Sequence, residues 1–200
     1  MTNSTSVPQG YLLEDFRLFH LNELNSRTYN FHHHDFLKIM ILLSGNVTYV
    51  VEGRSYPLIP WDIVLVDRGQ VHRPVVDTAQ PYERILLYLS PSFLEKYSTK
   101  EASLTKCFET AQYRHSQVLR LSHETLAPIK VLLQKLEANT SCKNNDFASP
   151  LLAKILCLEF LIELNRITLS PKAGFLTEST LDYRISSLLA YINSHLDEPM

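Results

Sequence analysis

The stretch Phe31-His32-His33-His34-Asp35-Phe36-Leu37-Lys38, with Gly45 and His72 further on, decides how this chain folds. Side-chain direction on a strand repeats every second residue, so His32 and His34 turn their rings to one side. His33 takes the opposite side and faces solvent. His72, on a later strand of the same sheet, is placed to join the pair in one pocket. The same parity sends Phe36, Lys38, Met40 and Leu42 inward. Leu37, Ile39, Ile41 and Leu43 then face the other way and need a cover of their own.

Outward from this strand, the chain from Tyr11 to Leu89 has a β texture. The apolar run ends at Ser44-Gly45-Asn46, and Val47 to Val51 follows, rich in β-branched residues. Glu52-Gly53-Arg54 turns it back into a short strand with Pro57, which suits an edge or bend. Asp62 to Val66, Val71 to Val76 and Tyr82 to Leu89 read as further strands. Short strands at even spacing predict an antiparallel barrel or sandwich. Ser90-Pro91 then starts a helix, as cap and first helical residue. Residues 92–110 read as short helices closing one end of the barrel. Ser122 caps a longer helix with Leu126, Ile129, Leu132, Leu133 and Leu136 at helical spacing. The next helix, Pro150 to Ile167, is apolar on nearly every side and must be covered all round.

The class is therefore α+β, mainly β in the N-terminal half. Its expected divisions are a barrel with short closing helices at 1–121, a helical hairpin at 122–168, a linker at 169–180 and a further amphipathic helix at 181–200. Net charge is −2, with 19 Lys and Arg against 21 Asp and Glu, so this piece carries no electrostatic footprint for nucleic acid. The scattered Cys107, Cys142 and Cys157 fit reduced thiols better than a disulfide framework. No signal peptide and no apolar run of ~20 residues is visible, which points to a cytoplasmic protein with no membrane partner.

The strand region resembles the cupin ligand-binding domain of the arabinose-regulator (AraC) family of bacterial transcription regulators. Of the first cupin motif, His32, His34 and Gly45 match, and Lys38 stands where a carboxylate is expected. Of the second, Asp62, Gly69 and His72 match, while Trp61, Asp67 and Val76 replace the Gly, Pro and Asn. His72-Arg73-Pro74, Tyr82-Glu83-Arg84-Ile85 and Ser90-Pro91-Ser92-Phe93-Leu94 look like the family's exit from the barrel. Ile185 to Leu196 looks like the first helix of its helix-turn-helix domain, most of which is absent here. The resemblance implies a jelly-roll barrel holding a small effector, such as a sugar or sugar acid, with no enzyme activity and no cofactor. It also implies a homodimer through the helical segment, at Leu152, Ile155, Leu156, Glu159 and Ile162. DNA would be bound only by the missing domain.

The inward residues give the pocket its expected chemistry. Lys38 deep in a barrel is costly as a bare cation. A ligand carboxylate, phosphate or hydroxyl cluster would satisfy it, as would an ion pair with Glu52, Asp62 or Glu83, or a place at the wet mouth. Arg84, Tyr82 and Tyr88 share one face of the last strand, a donor fork with aromatic rings suited to hydroxylated or anionic ligands. Alternatively, Arg84 pairs with Glu83 or Asp62. Met40 lines the same interior, and Trp61 is either a stacking platform for a sugar ring or buried under the helices. The rival reading is a metal-dependent cupin enzyme, a dioxygenase or isomerase, with His32, His34 and His72 as ligands. A stand-alone lectin-like module is a third.

Overall fold

The computed structural model describes residues 12–24, 28–141, 146–176 and 180–181. Among the described residues, nine strands form two antiparallel sheets. The five-stranded sheet has the order β1 (Phe16–Glu23), β7 (Tyr82–Leu89), β2 (Leu37–Ser44), β5 (Ile63–Val66), β8 (Val118–Leu119). The four-stranded sheet has the order β6 (His72–Val76), β3 (Val47–Val51), β4 (Arg54–Pro57), β9 (Thr180–Leu181). Between them lies one core, with Met40, Leu42, Val64, Val66, Tyr82 and Leu86 facing Val47, Tyr49, Val51 and Tyr56. This is the α+β, mainly β arrangement expected, a cupin-like barrel followed by a helical hairpin.

The second core explains the unbroken apolar run of β2. Leu37, Ile39 and Ile41 turn away from the barrel and join Ile63, Leu65, Ile85, Leu87 and Leu89 on the outer face of the five-stranded sheet. Helices α1 (Pro91–Tyr97), α2 (Lys106–Tyr113), α3 (His123–Ser141) and α4 (Ser149–Leu169) cover that face. The parity read for β2 therefore holds on both sides. The short helices do not close an end of the barrel as expected. Phe93, Leu94, Cys107, Phe108 and Ala111 lie on the sheet instead, because that face carries the apolar area in need of cover. Ser90 caps α1 through its Oγ, which accepts from Phe93 N at 3.1 Å.

Gly45 is required where it stands. Its φ is +113°, and a Cβ there would meet the Pro81 carbonyl oxygen at 2.9 Å. The segment read as a linker is instead fastened to the barrel. Arg120 N donates to the Gly174 carbonyl at 2.9 Å, and Leu176 N donates to Val118 O at 3.0 Å. Thr180 and Leu181 pair with Ser55 and Arg54, so Leu181 belongs to a strand and not to a helix start. The rest of the helix expected at 181–200 lies outside the described residues, as does Cys142. Cys107 and Cys157 are free thiols, both buried.

Polar ties join barrel to hairpin. Asp62, wholly buried, receives two bonds from the Arg120 guanidinium, at 2.8 and 2.7 Å. Lys154 of α4 reaches Asp15 at 2.6 Å. His20 on β1 lies between Glu83 of β7, at 2.8 Å, and Glu137 of α3. Burial opposes its positive charge, but the two carboxylates outweigh that and raise its pKa above 6.5. The sign follows from the raised folded value. The stabilisation is complete below 6.5 and fades as pH climbs through the folded pKa. Melting curves of wild type and His20→Asn should thus lie further apart at about pH 6 than at about pH 8.

Candidate functional site

Three imidazoles do converge. The ring centroids of His32 and His72 are 4.3 Å apart, those of His34 and His72 4.9 Å, and those of His32 and His34 6.4 Å. The route differs from the expected one in two respects. His32 and His34 precede β2, and His72 comes from the facing sheet and not the same one. A single antiparallel bridge brings them together: His32 N donates to His72 O at 3.2 Å, and His72 N to His32 O at 3.0 Å. His34 and His72 are buried, whereas His32 and His33 are exposed at the rim.

Each of the three rings uses Nδ1 in the same way. His32, His34 and His72 place Nδ1 against the carbonyls of Asn30, Phe36 and Gln70, at 3.0, 2.7 and 2.9 Å. A carbonyl only accepts, so Nδ1 carries the proton and Nε2 presents a lone pair. Burial first, then the nearby Lys38 charge, pushes His34 down to about 4 and His72 to about 2. Desolvation, with a smaller contribution from Lys38, also lowers His32. The cluster is therefore neutral at physiological pH and rich in acceptors.

Into it projects Lys38, 6% exposed on the inner face of β2. Its Nζ donates to His72 Nε2 at 3.3 Å and lies 5.8 Å from the centroid of the Tyr49 ring. Burial, then the Arg84 charge, lowers its pKa to about 7. None of the carboxylates named from sequence neutralises it. Asp62 is taken by Arg120, Glu83 by His20, and Glu52 accepts from Val71 N. Among the described residues, two buried polar atoms on the rings that flank His72 have no hydrogen-bond partner, His34 Nε2 and the Tyr49 hydroxyl.

The remaining expected residues divide. Met40, Tyr82, Arg84 and Tyr88 line the barrel interior. The Tyr88 ring packs on Phe36 at 4.6 Å and near His34 at 6.3 Å. Arg84 is engaged, though not by Glu83 or Asp62. It pairs with Glu23 at 3.2 Å, donates to the Tyr29 hydroxyl at 3.3 Å and lies 4.0 Å over the Tyr82 ring. Trp61 is not brought to the pocket. It occupies the turn glycine's position with φ +74°, and its ring lies on the helix side, 4.2 Å beneath Lys130 Nζ. Sequence reasoning missed Tyr49. The signal was present, since Tyr49 shares parity with Val51, which pairs with His72.

A metal fits this site poorly. Among the described residues no three His, Cys, Asp or Glu side chains are arranged to share an ion. An ammonium within hydrogen-bond reach of His72 Nε2 would oppose a dication, and no carboxylate completes the set. On the exposed side of α4, Leu152 (46%), Ile155 (51%) and Ile162 (43%) lie open with Glu159, whereas Leu156 (7%) is turned into the core. Leu156 is thus removed from the face expected to meet a second copy. Among the described residues no helix is long and apolar enough to cross a membrane.

A cupin 2 conserved barrel domain protein from Salinispora arenicola is 18% identical, with a TM-score of 0.36, over 45% of this chain and 76% of that one. A salicylate 1,2-dioxygenase from Pseudaminobacter salicylatoxidans is 20% identical, with a TM-score of 0.35, over 37% of this chain. The alignment spans 22% of the dioxygenase. The DMSP lyase DddQ from Ruegeria pomeroyi is 22% identical, with a TM-score of 0.35, over 38% of this chain and 39% of the lyase. No curated protein sequence matches the chain. The AraC-like ligand binding domain matches residues 16–161, most of the chain, and the chain belongs to that family.

Proposed function

We propose that this chain is the effector-sensing and dimerisation part of a bacterial, cytoplasmic AraC-type transcription regulator, and that its barrel takes a small hydroxylated metabolite of the sugar class. One observation carries the proposal. Inside a family-defined ligand-binding barrel, Lys38 and the rings of His34 and Tyr49 gather round His72, and His34 Nε2 and the Tyr49 hydroxyl are buried with their hydrogen-bonding capacity unused. Buried polar groups are ordinarily satisfied, and a pocket with a few convergent unsatisfied ones is suited to a polar ligand. His72 and the inward face of β2 hold the cluster, while Met40, Tyr82 and Tyr88 supply apolar walls.

A second copy of the chain covers the open stripe of α4. Leu152, Ile155, Glu159 and Ile162 recur at the spacing of a helix–helix seam, and Leu169 (55% exposed) continues it. Sedimentation should find a dimer that Ile155→Asp converts to monomer without a change in barrel stability. DNA recognition falls to a helix-turn-helix region distinct from the ligand-binding domain. Effector binding would bias the arrangement of two such regions, which requires different affinity for two arrangements. Thermal-shift screening against sugars and sugar acids, followed by operator binding of the full-length regulator, tests the proposal. A ligand that binds the barrel without altering operator binding would overturn the regulatory part. Stoichiometric iron, nickel or zinc in untagged protein would overturn the sensor in favour of an enzyme.

A further inference from the structure

Among the described residues, the interior of the barrel offers Lys38 several acceptors but no negative charge paired with it. Lys38 Nζ meets only a lone pair, His72 Nε2. The second interior cation, Arg84, has already drawn in Glu23. His32, His34 and His72 are uncharged, each with Nδ1 donating its proton to a backbone carbonyl. Among the described residues no carboxylate is paired with Lys38, and the acidic groups nearest in sequence and in the fold are committed elsewhere. Burying an ammonium without a counter-charge is expensive, and nothing in the packing of β2 demands a lysine there. Leucine or methionine would fill the same volume.

The orphaned atoms add direction to the charge. The Tyr49 hydroxyl is buried and can donate, while His34 Nε2 is buried and can only accept. The Tyr49 ring is stacked 6.0 Å from His72, whose ring lies 4.9 Å from His34. The ammonium of Lys38 and the rings of His34 and Tyr49 are therefore all gathered round His72. We infer that the ligand of this barrel is a hydroxycarboxylic acid. Its carboxylate accepts from Lys38 Nζ and the Tyr49 hydroxyl, and a neighbouring hydroxyl donates to His34 Nε2. The inference rests on the effector-binding reading of the barrel and narrows it from hydroxylated compounds to acids. A neutral polyol would fill the hydrogen bonds but leave the ammonium uncompensated. An acid without a hydroxyl would leave His34 Nε2 bare.

Matched pairs test it, in the full chain and at fixed ionic strength. The acids are D-gluconate, D-glycerate and L-lactate, and their neutral partners are sorbitol, glycerol and propane-1,2-diol. Thermal shift and calorimetry are run up to roughly 50 mM, where even weak ligands of the folded state raise the melting temperature. At least one acid should bind about tenfold or more tightly than its neutral partner, the worth of one charge-assisted hydrogen bond. Lys38→Met should reduce that acid to its partner's level, and Tyr49→Phe should weaken it by a smaller factor. Gluconate binding without lactate points to a sugar acid, and the reverse to a short hydroxy acid. Equal binding of acid and partner overturns the acid inference while leaving the sugar-class barrel standing. An acid preference that survives Lys38→Met overturns it too, because the anion is then held elsewhere. No response to any of the six compounds overturns both.

Discussion

Replacing Lys38 with methionine will make the unliganded protein more stable. The side chain is enclosed by Met40, Tyr49, His72 and the walls of the barrel, with no carboxylate to offset its charge. Methionine keeps the length of the side chain and removes the desolvation cost. Replacing even a buried ion pair by apolar residues of similar volume is often neutral or stabilises by roughly 1–4 kcal/mol, and a charge with no counter-charge has more to gain. For a chain of this size each kcal/mol moves the melting temperature by about 2–4 °C. The pH dependence fixes the cause. The folded pKa of Lys38 is about 7, below the ordinary 10.5, so the unfolded chain binds more protons between those values. Stability of the wild type therefore rises across that window, and the cost of Lys38 is greatest below pH 7. The advantage of Lys38→Met should shrink as pH rises from 7 towards 10.5. A variant less stable than wild type at every pH would mean that Lys38 has a counter-charge after all. A stabilising loss of a polar side chain is the mark of a residue kept for binding.

The opposite outcome is expected at Arg120. Its guanidinium gives Asp62 a two-pronged partner, and Asp62 Oδ2 also accepts from Ile59 N at 2.9 Å. Asp62 is fully buried and the Arg120 side chain is 39% exposed. Arg120→Met leaves a buried carboxylate with little besides that amide. The loss should be about 3 kcal/mol, the low end for breaking a buried pair, because water can enter where the exposed arginine stood. Adding Asp62→Asn to Arg120→Met should restore part of it, and urea melts of the two single variants and the double variant measure the coupling. Additive losses would mean that the pair is not the connection between the β5 turn and the chain entering α3.

Much of this was legible in the sequence. β2 declares itself by being apolar at every position but Lys38 and the closing Ser44, and alternation alone sorts Met40 and Leu42 from Ile39 and Ile41. His32, His34 and His72 do meet, but through a bridge between the segment before β2 and the facing sheet, which parity on one sheet does not foretell. Partner choice is what local sequence withholds. Arg84 takes Glu23 and not Glu83, because Glu83 faces the helices while Arg84 faces the barrel. Sequence leaves Trp61 between the pocket and the helices, and in the fold, at a positive φ, it takes the helix side. Leu156 shares the greasy surface of α4 with Ile155, and only the seating of the helix decides which is covered. Residues 170–176 look like a linker from their Pro and Gly, yet their backbone groups are spent on Arg120 and Val118.

That fastening sets where motion inside the barrel can be felt. Tyr49 lies on β3, β3 is laddered to β4, and β4 carries Thr180 and Leu181 as its next neighbour. A ligand that nudges Tyr49 therefore pulls on a ribbon leading, in two hydrogen-bonded steps, to the stretch of chain that follows the hairpin. The tail is moored to the sensor's own wall, so occupancy of the barrel has a mechanical route outward that bypasses α3 and α4.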